Sequence, residues 1–116
     1  TVVVRLEEMY LIAAEAAIME DDLQTGSDLL NVIRNRAGLA DLTFSNNQQA
    51  VNAIVKERRV EFFCEFGHRF YDLKRLNKLS DLLAVKSSWQ PYFKFYPLPE
   101  SEISLNPNLL PQNPGY

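Results

Sequence analysis

Five side chains able to carry charge or a proton, Glu61, Glu65, His68, Arg69 and Asp72, include pairs three and four residues apart, such as Glu61 with Glu65, Glu65 with His68, and Asp72 with both His68 and Arg69. On one continuous helix that spacing stacks several of them along one face. Three chemistries could use such a face. Glycoside hydrolysis takes two carboxylates about 5–10 Å apart across a cleft. With fifteen acidic residues in the chain some pair meets that distance by accident, and nothing marks out one pair. The Glu65-x-x-His68 interval matches the ligand spacing of a di-iron helix bundle, which needs two such motifs and further carboxylates. His68 is the single histidine, so a metal centre is disfavoured. The same lone histidine gives no footing for a Ser-His-Asp triad, and no glycine-rich phosphate loop or nucleophile elbow is present. A carboxylate-based hydrolase is therefore the weakest reading, and no catalytic residue, metal or cofactor is assigned.

The plainer reading of the same residues is a structural ion-pair network of Glu15, Glu57, Arg58, Glu61, Arg69 and Asp72, with Arg59 and Arg75 at its margin. Arg58 falls on an apolar stripe between Ile54 or Val55 and Phe62, where a charge is tolerated only when paired and hydrogen-bonded. Glu15, on an otherwise apolar helix, is its expected partner. The other local feature is the aromatic cluster Trp89, Tyr92, Phe93, Phe95 and Tyr96. Aromatic faces stack on pyranose rings while nearby polar groups set orientation. The ordinary role of such a segment after a helical domain is to dock on the helices. Trp89 and Tyr92, set among Ser87, Ser88 and Gln90, are the two candidates for ligand contact.

The elements that must position these residues are helical. From about Val4 to Met19 the chain is apolar nearly all round, broken only by Glu7, Glu8 and Glu15, which suits a helix packed on more than one side. Asp21 and Asp22 mark a turn, and Thr25 with Asp28 has capping-box spacing for a second helix carrying Leu29, Leu30, Ile33 and Ala37 up to Gly38. After a polar loop over residues 39–44, Ser45 with Gln48 starts a third helix with the stripe Val51, Ile54, Val55 and Phe62. Gly67 should kink or briefly break it before Phe70, Leu73 and Leu76. A weak helical stretch covers Ser80 to Val85. All six prolines then fall between Pro91 and Pro114, so regular helix ends there and Tyr96-Pro97-Leu98-Pro99 should be extended, with one turn at Ser101-Glu102-Ile103. The fold expected is all-α: a helical hairpin packed on a kinked third helix, residues 1–86, with an irregular Pro- and aromatic-rich C-terminal arm, residues 87–116, docked on it to make one domain.

Composition narrows the function classes. A hydrophobic fraction of 47% and a charged fraction of 23% are ordinary for a globular domain. A net charge of −3 gives no pull on a phosphate backbone, so no nucleic-acid partner is expected. The single cysteine, Cys64, sits in an apolar run and should pack as a small hydrophobe. No apolar stretch reaches the length of a membrane span and no leader is visible. The chain opens at Thr1 inside an apolar run without an initiator Met, as expected of part of a longer protein, and the apolar first helix should leave a face able to drive self-association.

Tyr10, Ala14, Ala17, Gly26, Leu30, Ile33 and Gly38 lie at offsets similar to those of a tetratricopeptide repeat, with small residues where two helices cross. Such a repeat must stack on others or on the third helix to bury its apolar face. A more specific resemblance is to the SusD/RagB family, carried by four segments in order. They are Glu8-Met9-Tyr10-Leu11-Ile12-Ala13-Ala14-Glu15-Ala16; Leu30-Asn31-Val32-Ile33-Arg34-Asn35-Arg36-Ala37-Gly38-Leu39; Glu57-Arg58-Arg59-Val60-Glu61-Phe62 through Gly67-His68-Arg69-Phe70-Tyr71-Asp72-Leu73-Lys74-Arg75; and Tyr96-Pro97-Leu98-Pro99 through Asn106-Pro107 to Gln112-Asn113-Pro114-Gly115-Tyr116. The resemblance implies the C-terminal portion of a surface lipoprotein of the bacterial outer membrane, anchored by an N-terminal lipid absent here. Such a protein lids a TonB-dependent transporter of the SusC type and captures oligosaccharides, or in some members peptides, for import, with this chain mainly a scaffold and no binding residue transferred by motif. The rival from a different class is a helical-repeat adaptor that binds a peptide or protein in its groove.

Overall fold

The computed structural model describes residues 4–116, so most of the opening apolar run lies outside the described residues. It divides into two compact units, Thr1–Arg69 and Phe70–Tyr116. The helices in chain order are α1 (Leu6–Met19), α2 (Leu23–Arg36), α3 (Asn47–Glu61), α4 (His68–Arg75) and α5 (Glu100–Leu105), with 3₁₀ helices at Leu79–Ala84, Pro91–Lys94 and Pro107–Leu109. Among the described residues there is no strand, and the protein is all-α.

In the first unit α1 packs most extensively on α2, and both pack on α3. Leu11, Ala14 and Ile18 of α1, Leu30 and Ile33 of α2, Ala50 and Ile54 of α3, and Phe62 form its core. The hairpin closes tightly because Gly26 has no side chain: a Cβ there would lie 2.5 Å from Ile18 Cγ1 and 3.2 Å from the Ala14 carbonyl oxygen. The opposite side of α1 stays in solvent, with Leu6 69% exposed and Met9, Ile12 and Met19 also exposed.

Caps explain where the helices begin and end. The cap of α2 is Asp22, whose carboxylate accepts from the Thr25 N–H at 3.0 Å, rather than Thr25 as its spacing suggested. Asn46, not Ser45, caps α3 by accepting from the Gln49 N–H at 2.9 Å, while Ser45 Oγ donates to Gln49 Oε1. Gly38 ends α2 with φ +73°, and the Leu39 N–H reaches back to the Arg34 carbonyl at 2.9 Å. The loop that follows is held by buried Asn31, which donates to the Leu42 carbonyl and accepts from the Leu42 N–H, both at 2.9 Å.

The third helix is broken ahead of Gly67, the second of the two outcomes expected there. It stops at Glu61, and Phe62–Gly67 form a turn in which Cys64, Phe66 and Gly67 all have positive φ, before α4 starts at His68. With the break, Glu61 and His68 do not share a continuous helix; one expectation is corrected, since Cys64 is exposed on the turn instead of packed.

The second unit is built on Leu73, Leu79 and Trp89, with Phe70, Leu82 and Phe93 against them. Its last residues fold back on the aromatic segment. Gln112 accepts from the Leu98 N–H at 2.7 Å and donates to the Leu98 carbonyl at 2.9 Å; Asn113 donates to the Tyr96 carbonyl, and the Tyr116 hydroxyl to the Phe95 carbonyl. Gly115 is required at the close of this clasp, since its φ is +96° and a Cβ would sit 2.3 Å from the Tyr92 ring.

Candidate functional site

The charged residues of the first unit converge where the start of α1, the end of α2 and the end of α3 meet. Local helix physics puts opposite signs there. Glu7 and Glu8 occupy the first turn of α1, Arg34 and Arg36 the last turn of α2, and Arg58 and Arg59 the last turn of α3, each the sign that its helix dipole favours.

Glu61 is the hub. Its carboxylate, 11% exposed, accepts two hydrogen bonds from Arg36 Nη2, at 2.7 and 2.8 Å, and another from Arg5. Arg36 also donates to Glu7 at 2.8 Å, and Arg5 to Glu65 at 2.5 Å. Deeper in, Arg34 donates to Glu57 at 2.9 Å and to the Ala40 carbonyl at 3.0 Å, which ties α2, α3 and the intervening loop together. Arg58 Nη2 and His68 Nδ1 lie 3.9 and 3.7 Å from the same Glu8 oxygen. At the centre the buried Phe62 ring receives Arg58 at 5.3 Å, Arg5 at 5.5 Å and the His68 ring at 4.7 Å, so the cations are placed over an aromatic face as well as beside carboxylates.

The electrostatics follow this geometry. Partial desolvation opposes the charge on Arg5, but Glu65, Glu61 and Glu7 outweigh it and raise the guanidinium above its ordinary value. Glu7 is held below the usual carboxylate range, first by its own backbone N–H and then, against desolvation, by Arg36 and Arg5. A general acid needs its carboxyl pushed the other way. Carboxylates clasped by guanidinium groups in this manner fix the relative placement of helices.

Of the residues singled out from sequence, Glu57, Arg58 and Glu61 lie in this lattice. Glu15 is buried on α1, and both it and Arg58 have polar partners. Arg69 is half-buried. Asp72 belongs to the second unit, where it is buried and accepts from Arg75 Nε at 3.0 Å. Arg5, Glu7, Arg34 and Arg36 were not singled out as members. Apart from the local Arg5–Glu7 pair, their ion-pair partners stand 23 to 60 residues away in the chain, and the one available signal was the placement of Glu7, Arg34 and Arg36 in the end turns of helices.

The two aromatic candidates have different surroundings. Trp89 is 7% exposed and packs edge-on to Phe93 at 5.6 Å and Phe70 at 6.3 Å. Tyr92 is half-buried in the C-terminal clasp, with Tyr116 edge-on at 5.4 Å. Among the described residues no cluster of three or more His, Cys, Asp or Glu side chains is disposed to hold a metal ion, and no helix is long and apolar enough to cross a membrane.

Fold and site together define an all-helical framework braced by arginine–carboxylate pairs. The model of the SusD family matches residues 1–116. The chain is 35% identical to the SusD-like protein P2 of Formosa agariphila, covering 97% of this chain and 25% of that protein. A SusD-like protein of Bacteroides fragilis, known from its crystal structure, superposes with a TM-score of 0.80 at 30% identity, again over 98% of this chain and 25% of that one. The chain belongs to the SusD family, and it spans about a quarter of the length of these relatives.

Proposed function

We propose that this chain is the scaffold portion of a lipid-anchored nutrient-binding protein at the outer-membrane surface. The whole protein captures oligosaccharides and passes them to a TonB-dependent transporter of the SusC type. The observation that carries this reading is the family match along the chain's entire length. The lattice supports a framework role and speaks against catalysis, because Glu57, Glu61 and Glu65 each face an arginine rather than an open cleft. The packing of α1, α2 and α3 on one core supplies rigidity, and binding constellations carried on rigid elements are held more precisely than those on loops. The tetratricopeptide-like character of the hairpin and the docking of residues 87–116 on the helical part belong to the same reading.

The test is to extract the whole protein from outer membranes in mild detergent, identify what co-purifies, and titrate it calorimetrically with a panel of neutral oligosaccharides. A co-purifying TonB-dependent transporter together with saturable binding of an oligosaccharide is the expected result. A protein that binds peptides and no sugar moves the adaptor reading to the front. Turnover of the oligosaccharide, lost on Glu65→Gln without loss of folding, would overturn the scaffold reading.

A further inference from the structure

Beside Trp89 the second unit contains a cleft of about 180 Å³ whose rim carries Lys74 and Lys94. Asn77 and Ser80 add polar groups to its wall, and Leu83 and Trp89 make its apolar side. Both ammonium groups gather on one aromatic ring, Lys94 Nζ 4.9 Å and Lys74 Nζ 5.9 Å from the centre of Phe95. Among the described residues neither lysine is engaged by a carboxylate. Asp81, the acid adjacent in sequence to Ser80, does not line the cleft.

Two lysines lining one cleft, neither engaged by a carboxylate, make a positive potential that its low-dielectric walls focus on whatever enters. The anion that suits this cleft also has an apolar surface for Leu83 and hydroxyls for Asn77 and Ser80. A sugar ring bearing an acid group has all three. The volume is below the roughly 300 Å³ at which drug-sized sites begin, so one ring fits and the rest of an oligomer lies outside. Since Trp89 is only 7% exposed, little of the indole is open for a sugar ring to stack on. Charge, not stacking, then sets the preference.

We propose that the cleft rimmed by Lys74 and Lys94 binds the anionic unit of an acidic saccharide, a carboxylate- or sulfate-bearing sugar. The inference rests on the reading of the whole protein as a saccharide-capturing one and names a class of sugar for it. It also gives this chain a ligand contact besides its framework role.

The experiment titrates the whole protein with a galacturonate oligomer, a sulfated galactose oligomer, the neutral galactose oligomer and inorganic sulfate, each also against K74Q/K94Q. Both lysines are exposed; because the variant gives up their contacts with Phe95, its melting curve is recorded beside the parent's and binding is read on folded protein. Expected is at least tenfold tighter binding of one or both acidic oligomers than of the neutral one. That preference should weaken with added salt and be lost in K74Q/K94Q, while binding of neutral sugars elsewhere in the protein stays unchanged. Acidic binding that survives the double substitution overturns the assignment and leaves the capture reading standing, as does binding of neutral oligomers alone. Inorganic sulfate that binds as tightly as the oligomers and displaces them overturns the saccharide part. No binding of any sugar removes the capture reading and this inference with it.

Discussion

Replacing Gly26 by alanine tests the hairpin at its narrowest point. Two effects of opposite sign compete. Alanine is about 1 kcal/mol better than glycine inside a helix, and Gly26 lies within α2, so at an open position the change would stabilise. Here the new Cβ would meet Ile18 Cγ1 at 2.5 Å, Ile18 Cδ1 at 3.0 Å and the Ala14 carbonyl oxygen at 3.2 Å. Cγ1 is not the free end of a flexible chain, because a β-branched side chain in a helix is nearly confined to one χ1 rotamer. Ile18 is also fully buried. Overpacking of a tight core costs about 1–3 kcal/mol, so the expected net effect is destabilisation of up to about 2 kcal/mol. In a unit of this size each kcal/mol lowers Tm by about 4–8 °C. Urea unfolding followed by circular dichroism measures the sign directly. A cycle with Ile18→Ala, which removes both clashing atoms, should show a favourable coupling of about 0.5–3 kcal/mol. A G26A protein more stable than its parent would refute the close approach of α1 and α2.

Asn31→Leu leaves the Leu42 N–H and carbonyl without their side-chain partner; a loss of about 1–3 kcal/mol in urea unfolding is expected, larger than for Asn35→Leu on the exposed side of α2. Gly115→Ala forces a side chain into the Tyr92 ring at a left-handed backbone position, so the C-terminal clasp should loosen, read as faster amide exchange at Leu98, whose N–H Gln112 now holds. The Asp22 carboxyl is held below its usual range chiefly by hydrogen bonds from Thr25. A depressed folded-state value means its contribution is complete above the unfolded value near pH 4 and is lost as pH falls through the lower folded value. Asp22→Asn, which keeps the cap, should flatten that part of the acid limb of a Tm-against-pH curve, and an unchanged limb would contradict the capping role.

Helix positions were legible where the signal is local. The apolar periodicity of Ile54 and Val55 and the C-cap at Gly38 both have their counterparts in the structure. Cap identities were displaced because Asp22-x-x-Thr25 and Thr25-x-x-Asp28 present the same spacing, and only backbone geometry decides between them. The end of α3 at Glu61 was not legible, since Phe62, Phe63 and Phe66 continue an apolar pattern while the turn rests on positive φ at Cys64 and Phe66, two residue types that carry no turn signal. For the same reason Cys64 reads as packed and is exposed. The lattice was half legible: Glu57, Arg58 and Glu61 stand out by being charged on a helix that packs, whereas Arg5 and Arg36 become visible only when chain segments far apart in sequence meet.

One calorimetric comparison tests the framework role most directly, in which the whole protein and the isolated 116-residue chain are titrated with the same neutral oligosaccharides. If the chain is framework for a neutral-sugar site that lies elsewhere in the protein, the whole protein gives a saturable isotherm and the folded chain gives none. An isolated chain that binds a neutral oligosaccharide as tightly as the whole protein would place that site within these residues and contradict the scaffold assignment.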